Sequence, residues 1–223
     1  SSDVCSSDLI TSYFEERKSD IDVLINVVAS LQQEGFDGIR ALQRSQKRAV
    51  ERYFRSNPGA TNQLAPGGPA AEALNEIMDS SVGLGNTGES YLAELRNNRV
   101  IFRNDFETIS PDTYVYGYDA TEIAPEYLEK ALQGETGSDV YTNAAGDLVM
   151  AAYQPLAIEG LTMAIVTIQN LDEALTPMVQ GTQADFYANY IEAYGYYDLL
   201  LIHPEGSVFY TVEREADYGT NIL

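Results

Sequence analysis

The chain has 223 residues, 44% apolar and 21% charged, long enough to bury a substantial core and too apolar overall to read as disordered. Thirteen Lys and Arg stand against 34 Asp and Glu, and the net charge of −21 repels phosphate backbones and anionic lipid, which excludes a nucleic-acid binder. One Cys and one His leave no Cys/His metal site and no disulfide framework, and no run of 18 apolar residues marks a membrane span.

Residues 1–9, Ser-Ser-Asp-Val-Cys-Ser-Ser-Asp-Leu, read as the translation of a short-read sequencing adapter and are set aside from fold reasoning. Cys5 thereby drops out of any redox argument, and the lack of a signal peptide carries no weight on location. Residues 10–69 read as a helical stalk and linker. Ile21, Leu24, Ile25, Val28 and Leu31 recur at helical spacing from Ile10 to about Leu31. Gly35 and Gly38 loosen the chain, and a second helix follows over 36–54 with Arg44, Lys47, Arg48 and Arg52 on a solvated face. Asn57-Pro58-Gly59 ends it, and residues 57–69 form a turn-rich linker.

Residues 70–170 read as one domain. A short helix over 70–80 leads to Gly83-Leu84-Gly85-Asn86-Thr87-Gly88, a turn into a strand; no GxxxxGK[ST] and no following helix make it a phosphate loop. Strands are expected over 90–95 and 99–103, joined by an Asn97-Asn98 hairpin turn. Residues 108–118 form a Tyr-rich loop or irregular strand, and 124–133 a helix with Pro125 early and Gly134 as its stop. Three strands then read over 138–142, 148–157 and 161–169, turning at Ala145-Gly146-Asp147 and Glu159-Gly160. Residues 171–195 read as a helix stopped by Gly195, and 196–202 and 208–212 as a hairpin around His203-Pro204-Glu205-Gly206. The expected fold class is α+β: long N-terminal helices, a PAS-like five-stranded antiparallel sheet, then over 171–223 a connecting helix and the truncated start of a second PAS-like module.

Four segments carry a resemblance: Gly83-Leu84-Gly85-Asn86-Thr87-Gly88-Glu89-Ser90-Tyr91-Leu92; Ala131-Leu132-Gln133-Gly134-Glu135-Thr136-Gly137; Ala152-Tyr153-Gln154-Pro155-Leu156 with Gly160-Leu161 and Ala164-Ile165; and Tyr190 to Leu199 with Pro204-Glu205-Gly206 and Phe209-Tyr210. In order and spacing they resemble the double Cache modules of bacterial transmembrane receptors, the extracytoplasmic PAS-like sensors of methyl-accepting chemotaxis proteins and histidine kinases. The 36–54 helix resembles those that precede such modules. The chain lacks Trp altogether and shows no Arg-x-x-Trp-Tyr pattern of the amino-acid-sensing subclass.

The resemblance implies a small ligand over the sheet, under the loop between its second and third strands. The residues expected to face it are Tyr91, Phe102, Arg103, Asp105, Tyr114, Tyr116, Tyr141 and Tyr153. An Arg beside aromatic rings can hold a carboxylate while the rings exclude water, and Asp105 could accept from an amine or orient Arg103. The same residues also fit an ordinary core with an exposed Arg103–Asp105 pair, because a one-residue register shift inverts the faces.

His203 reads as a solvated turn residue, so no haem, metal or other cofactor is expected. Glu15-Glu16 and Asp172-Glu173 read as exposed pairs on helices, and neither a catalytic cleft nor a Ser/His/Asp set is visible, so this stretch is not expected to be an enzyme. The implied function is small-molecule sensing outside the cytoplasm of a bacterium, periplasmic or extracellular. The stretch would be membrane-anchored in the full-length protein, dimeric through its N-terminal helices, and would signal by helix movement. A chemotaxis receptor is favoured over a histidine kinase, and a cytosolic PAS-like cofactor domain is the alternative from another class.

Overall fold

The computed structural model describes residues 6–79, 84–107, 113–143, 146–179 and 185–223. Helix α1 runs unbroken from Ser6 to Ser56, where the glycines suggested two helices. Gly35 and Gly38 lie inside it at an intrinsic cost of about 1 kcal/mol each relative to Ala. Tertiary packing overrides that cost: a Cβ on Gly35 would lie 3.0 Å from the Met150 methyl and 3.1 Å from its sulfur, so the bare backbone lets the helix lie close on the sheet.

The C-terminal half of α1 buries Phe36, Ile39, Val50 and Phe54. Between them, polar side chains pin the helix to strand backbone. Buried Gln43 donates to the carbonyls of Ala152 (2.6 Å) and Ile165 (3.3 Å) and accepts from Gln154 (2.8 Å). Arg40 donates to Ser138 Oγ, Lys47 donates to the Pro155 carbonyl, and Glu51 accepts from the Ala157 amide. Lys47 is therefore part of the docking face, while Arg44, Arg48 and Arg52 are exposed as expected. The other half of α1 carries Ile10, Tyr13, Phe14, Ile21, Val23 and Ile25 exposed to solvent.

A 3-10 turn (Pro58–Asn62) and α2 (Pro69–Met78) lead to the strands β1 (Glu89–Arg96), β2 (Arg99–Phe102), β3 (Phe106–Glu107) and β4 (Thr113–Tyr114). Asn97 and Asn98 turn the first hairpin with φ of 50° and 63°, the left-handed geometry that Asn tolerates and that matches strand twist. Helix α3 (Glu126–Leu132) precedes β5 (Gly137–Thr142), β6 (Leu148–Leu156) and β7 (Met163–Asn170). Five strands form one antiparallel sheet in the order β2-β1-β7-β6-β5, the PAS-like plan expected. Within the Tyr-rich 108–118 stretch, residues 108–112 fall outside the described ones; β3 and β4 pair separately. Gly83 and Ala145 also lie outside the described residues.

Alternation along the strands divides the core. Tyr91, Ala93, Val149, Ala151, Tyr153, Ala164, Val166 and Ile168 face α3. Leu92, Met163 and Ile165 face α1 and α2, and Met150 and Ala152 pack with Phe36 and Ile39.

The helix expected over 171–195 is two pieces, α4 (Leu171–Leu175) and α5 (Phe186–Tyr194), because Pro177 lacks the N–H a helix needs. Asp185 caps α5 by accepting from the Ala188 amide at 2.9 Å, and Gly195 ends it at φ 68°. The final hairpin is shorter than expected, β8 (Leu200–Ile202) with β9 (Val208–Thr211). It is tied to α5 by the Tyr210 hydroxyl donating to Asp185 at 2.7 Å.

Candidate functional site

The α3 face of the sheet gathers most of the aromatic residues expected at a ligand site. Tyr91 stacks on Phe106 with ring centroids 4.7 Å apart, and Phe102 meets both rings edge-on. Tyr114 packs against Phe102, Phe106 and Tyr118. At the β5–β6 end the Tyr141 and Tyr153 hydroxyls lie 3.2 Å apart, and Tyr127 of α3 leans on Tyr141. Lys130, one turn further along α3, places its ammonium 3.5 Å from the Tyr141 hydroxyl and over that ring. Glu126 pairs with Lys130 at 2.6 Å.

Five of the eight expected residues therefore share this face: Tyr91, Phe102, Tyr114, Tyr141 and Tyr153. Three do not. Arg103 follows β2 on the opposite side, 4% exposed, where its Nε donates to Glu94 at 2.7 Å and its Nη1 to the Leu64 carbonyl. Tyr116 lies beneath the Arg103 guanidinium at 5.5 Å and belongs to the α1–α2 core. Asp105 does not orient Arg103. It accepts from the Asn75 side chain and the Tyr116 amide, both at 2.6 Å, and so staples α2 to the loop. The chain after β2 weaves from face to face, so alternate residues part company.

Phe106, Tyr118, Tyr127 and Lys130 join the site without having been expected. Tyr127 and Lys130 lie three residues apart on α3, about one helical turn, and it is the packing of α3 on the sheet that brings both to Tyr141.

Electrostatics set the state of this face. Burial pushes the Tyr91 phenol well up and Tyr127 to about 12. Tyr153 is also raised to about 12, first by its bond to Tyr141 and then by burial. Lys130 is raised, chiefly by its bond to Glu126. At neutral pH the raised Tyr91, Tyr127 and Tyr153 phenols thus stay protonated, and the Lys130 ammonium stands beside them in its pair with Glu126. Two hydroxyls that share one hydrogen bond leave a second O–H free to donate. Rings that exclude water and donors at one end suit a small molecule with an apolar body and an acceptor or anionic group.

The glycine-rich turn has a structural role. Glu173 of α4 accepts from the amides of Asn86 (2.7 Å) and Thr87 (2.8 Å) and from both of their side chains. This corrects its reading as an exposed carboxylate. Burial pushes the Glu173 carboxyl up, but these bonds outweigh it and hold it below its ordinary value. Gly85 is required there, at φ 67° with Glu173 where its Cβ would go. His203 sits in the β8–β9 turn, half-buried, beside the Glu205 amide.

No protein-family model matches the chain, and no curated protein matches it. Among solved structures, it is similar to the sensory domain of the Campylobacter jejuni chemoreceptor Tlp3 (CcmL), at 14% identity and TM-score 0.48, covering 92% of this chain and 75% of that one. The ligand-binding domain of Tlp3 in complex with 4-methylisoleucine gives 16% identity and TM-score 0.45, with 74% of this chain and 64% of that one covered. The sensor domain of the Vibrio cholerae histidine kinase DctB gives 9% identity and TM-score 0.48, over 90% and 67%. The chain thus spans about two thirds to three quarters of the length of these structures. At such scores they assign this chain no ligand.

Proposed function

We propose that this chain is the small-molecule sensing module of a bacterial transmembrane receptor, of the Cache type, lying outside the cytoplasm, with a methyl-accepting chemotaxis receptor as its parent. The observation that carries the proposal is the two-sided use of one sheet. On one face β6 presents Tyr153 to the aromatic site. One residue earlier, its Ala152 carbonyl holds Gln43 of the 51-residue helix α1. A ligand that shifts β6 must therefore strain or relieve the helix docking on the other face. Signalling requires only that the ligand bind one arrangement better than the other.

The exposed apolar residues from Ile10 to Ile25 supply a surface through which two copies could pair along α1. No helix among the described residues is long and apolar enough to cross a membrane; anchoring belongs to the proposal.

The test is thermal unfolding of the chain against small metabolites. A ligand at one hundred times its dissociation constant adds about 2.7 kcal/mol. The expected result is stabilisation by one chemical class bearing an acceptor or anionic group, lost in Tyr141→Phe and Lys130→Ala. Stabilisation that survives both substitutions would remove the aromatic face as the site. A cooperative melt moved by no compound would remove direct sensing.

A further inference from the structure

Lys130 does not stand free at the aromatic face. Its ammonium lies 2.6 Å from Glu126 Oε1 on one side and, on the other, 3.5 Å from the Tyr141 hydroxyl and over the Tyr141 ring. It is also close enough to act on the Tyr153 phenol, so both hydroxyls of the β5–β6 end share it. An anionic group brought to that end therefore meets a cation that already has its anion.

A second pair of the same spacing shows how loosely Glu126 holds this place. Lys47 and Glu51 are also four residues apart on a helix, at 3.0 Å, but the Glu51 side chain is 14% exposed and accepts from the Ala157 amide as well. The Glu126 side chain is 68% exposed, and among the described residues Lys130 is its one polar partner. A pair so exposed is weak, and its acid can turn to water at little cost. The ammonium has the Tyr141 ring and hydroxyl on its other side, contacts that do not depend on Glu126. The acid can leave while the cation stays.

We propose that Glu126 determines the charge selectivity of the aromatic face: it occupies the seat on Lys130 that a ligand's anionic group takes, so an anion binds by displacing Glu126, whereas an uncharged acceptor binds the tyrosine hydroxyls with the pair intact. The inference rests on the aromatic face being the sensing site.

The test is calorimetric titration of the full chain with phenylacetate and with phenylacetamide, which has the same ring and an uncharged head. Both should bind, and Lys130→Ala should weaken phenylacetate by about tenfold. Glu126→Gln keeps the shape of the side chain and removes its charge. It should tighten phenylacetate by about threefold, the worth of an exposed pair, and leave phenylacetamide unchanged. Glu126→Ala should act in the same direction, and it decides the matter if Glu126→Gln does not melt cooperatively. Equal phenylacetate affinity with and without the Glu126 charge, still weakened by Lys130→Ala, overturns the inference and leaves the sensing face standing. So does a gain shared by both probes. Binding of neither probe, in the parent chain or in the Glu126 variants, overturns the reading of the face and the inference with it. Binding indifferent to Tyr141→Phe and Lys130→Ala does the same.

Discussion

Gly137 stands directly opposite Tyr153 in the β5–β6 ladder, and a Cβ on Gly137 would come within 2.5 Å of the Tyr153 hydroxyl. The glycine leaves the tyrosine room to reach Tyr141. Gly137→Ala should push the ring aside, break the 3.2 Å hydroxyl contact and cost about 1–3 kcal/mol, as overpacking does. Tyr153→Phe removes only the hydrogen bond and should cost about 0.5–1.5 kcal/mol. Urea melts of both variants check this; an alanine no worse than the phenylalanine would mean that the ring does not depend on the gap.

Glu173 clamps the turn that enters β1. Glu173→Gln keeps the shape but gives up charge-assisted bonds to Asn86 and Thr87, which should cost about 1.5–3 kcal/mol. The folded carboxyl titrates below its ordinary value. Its contribution is therefore fully present above the unfolded pKa, about 4.3, and is lost as pH falls through the lower folded value. Urea melts between pH 7 and pH 3 should show a shallower acid limb in Glu173→Gln than in the parent chain. Parallel limbs would contradict the assignment.

Arg103 and Glu94 form an ion pair in which each side chain is only 4% exposed. Removing one member strands a buried charge, so Arg103→Met should cost about 3–5 kcal/mol. The double replacement Arg103→Met with Glu94→Leu should recover most of that, because an apolar pair of similar volume avoids both desolvation penalties. If the double variant folds and keeps the affinity of any ligand found for the aromatic face, Arg103 serves the core. Loss of that ligand in a stably folded double variant would return Arg103 to the binding site.

The strand plan was legible because its signals are local. The Asn97-Asn98 turn, the Gly134 stop, the mixed small and apolar residues of β6 and the β-branched run of β7 each act within a few residues. Two features were not legible. Gly35 reads as a break until Met150 is seen against it, and that contact lies more than a hundred residues away. Arg103 beside Phe102 reads as a ligand contact until its partner Glu94 appears across the β1–β2 hairpin. The two are placed together by register and by the crossing of the chain after β2, neither of which period-two alternation decides. Lys130 was missed for the opposite reason. Its i,i+4 pairing with Glu126 is the ordinary signature of a solvated helix surface, and only the packing of α3 brings it to Tyr141.

The tyrosines of the aromatic face give a direct optical test of its burial. Tyr127 and Tyr153 are held to about 12, against about 10 for a free phenol. In an alkaline absorbance titration of the folded chain, phenolate should appear in separate steps, with these two in the late one. Lys130→Ala removes an ammonium that favours the Tyr153 phenolate and should delay that step further, whereas Tyr141→Phe removes the main cause of the rise and should bring it forward. Stability follows the same sign. Between pH 10 and 12 the unfolded chain gives up phenol protons that the folded chain retains, so folding weakens as pH rises through this window. Urea melts at pH 9 and pH 11 should show the loss, smaller in Tyr141→Phe. Simultaneous ionisation of all tyrosines near pH 10, with no loss of fold, would mean that water already reaches the face and that the rings do not shield a ligand there.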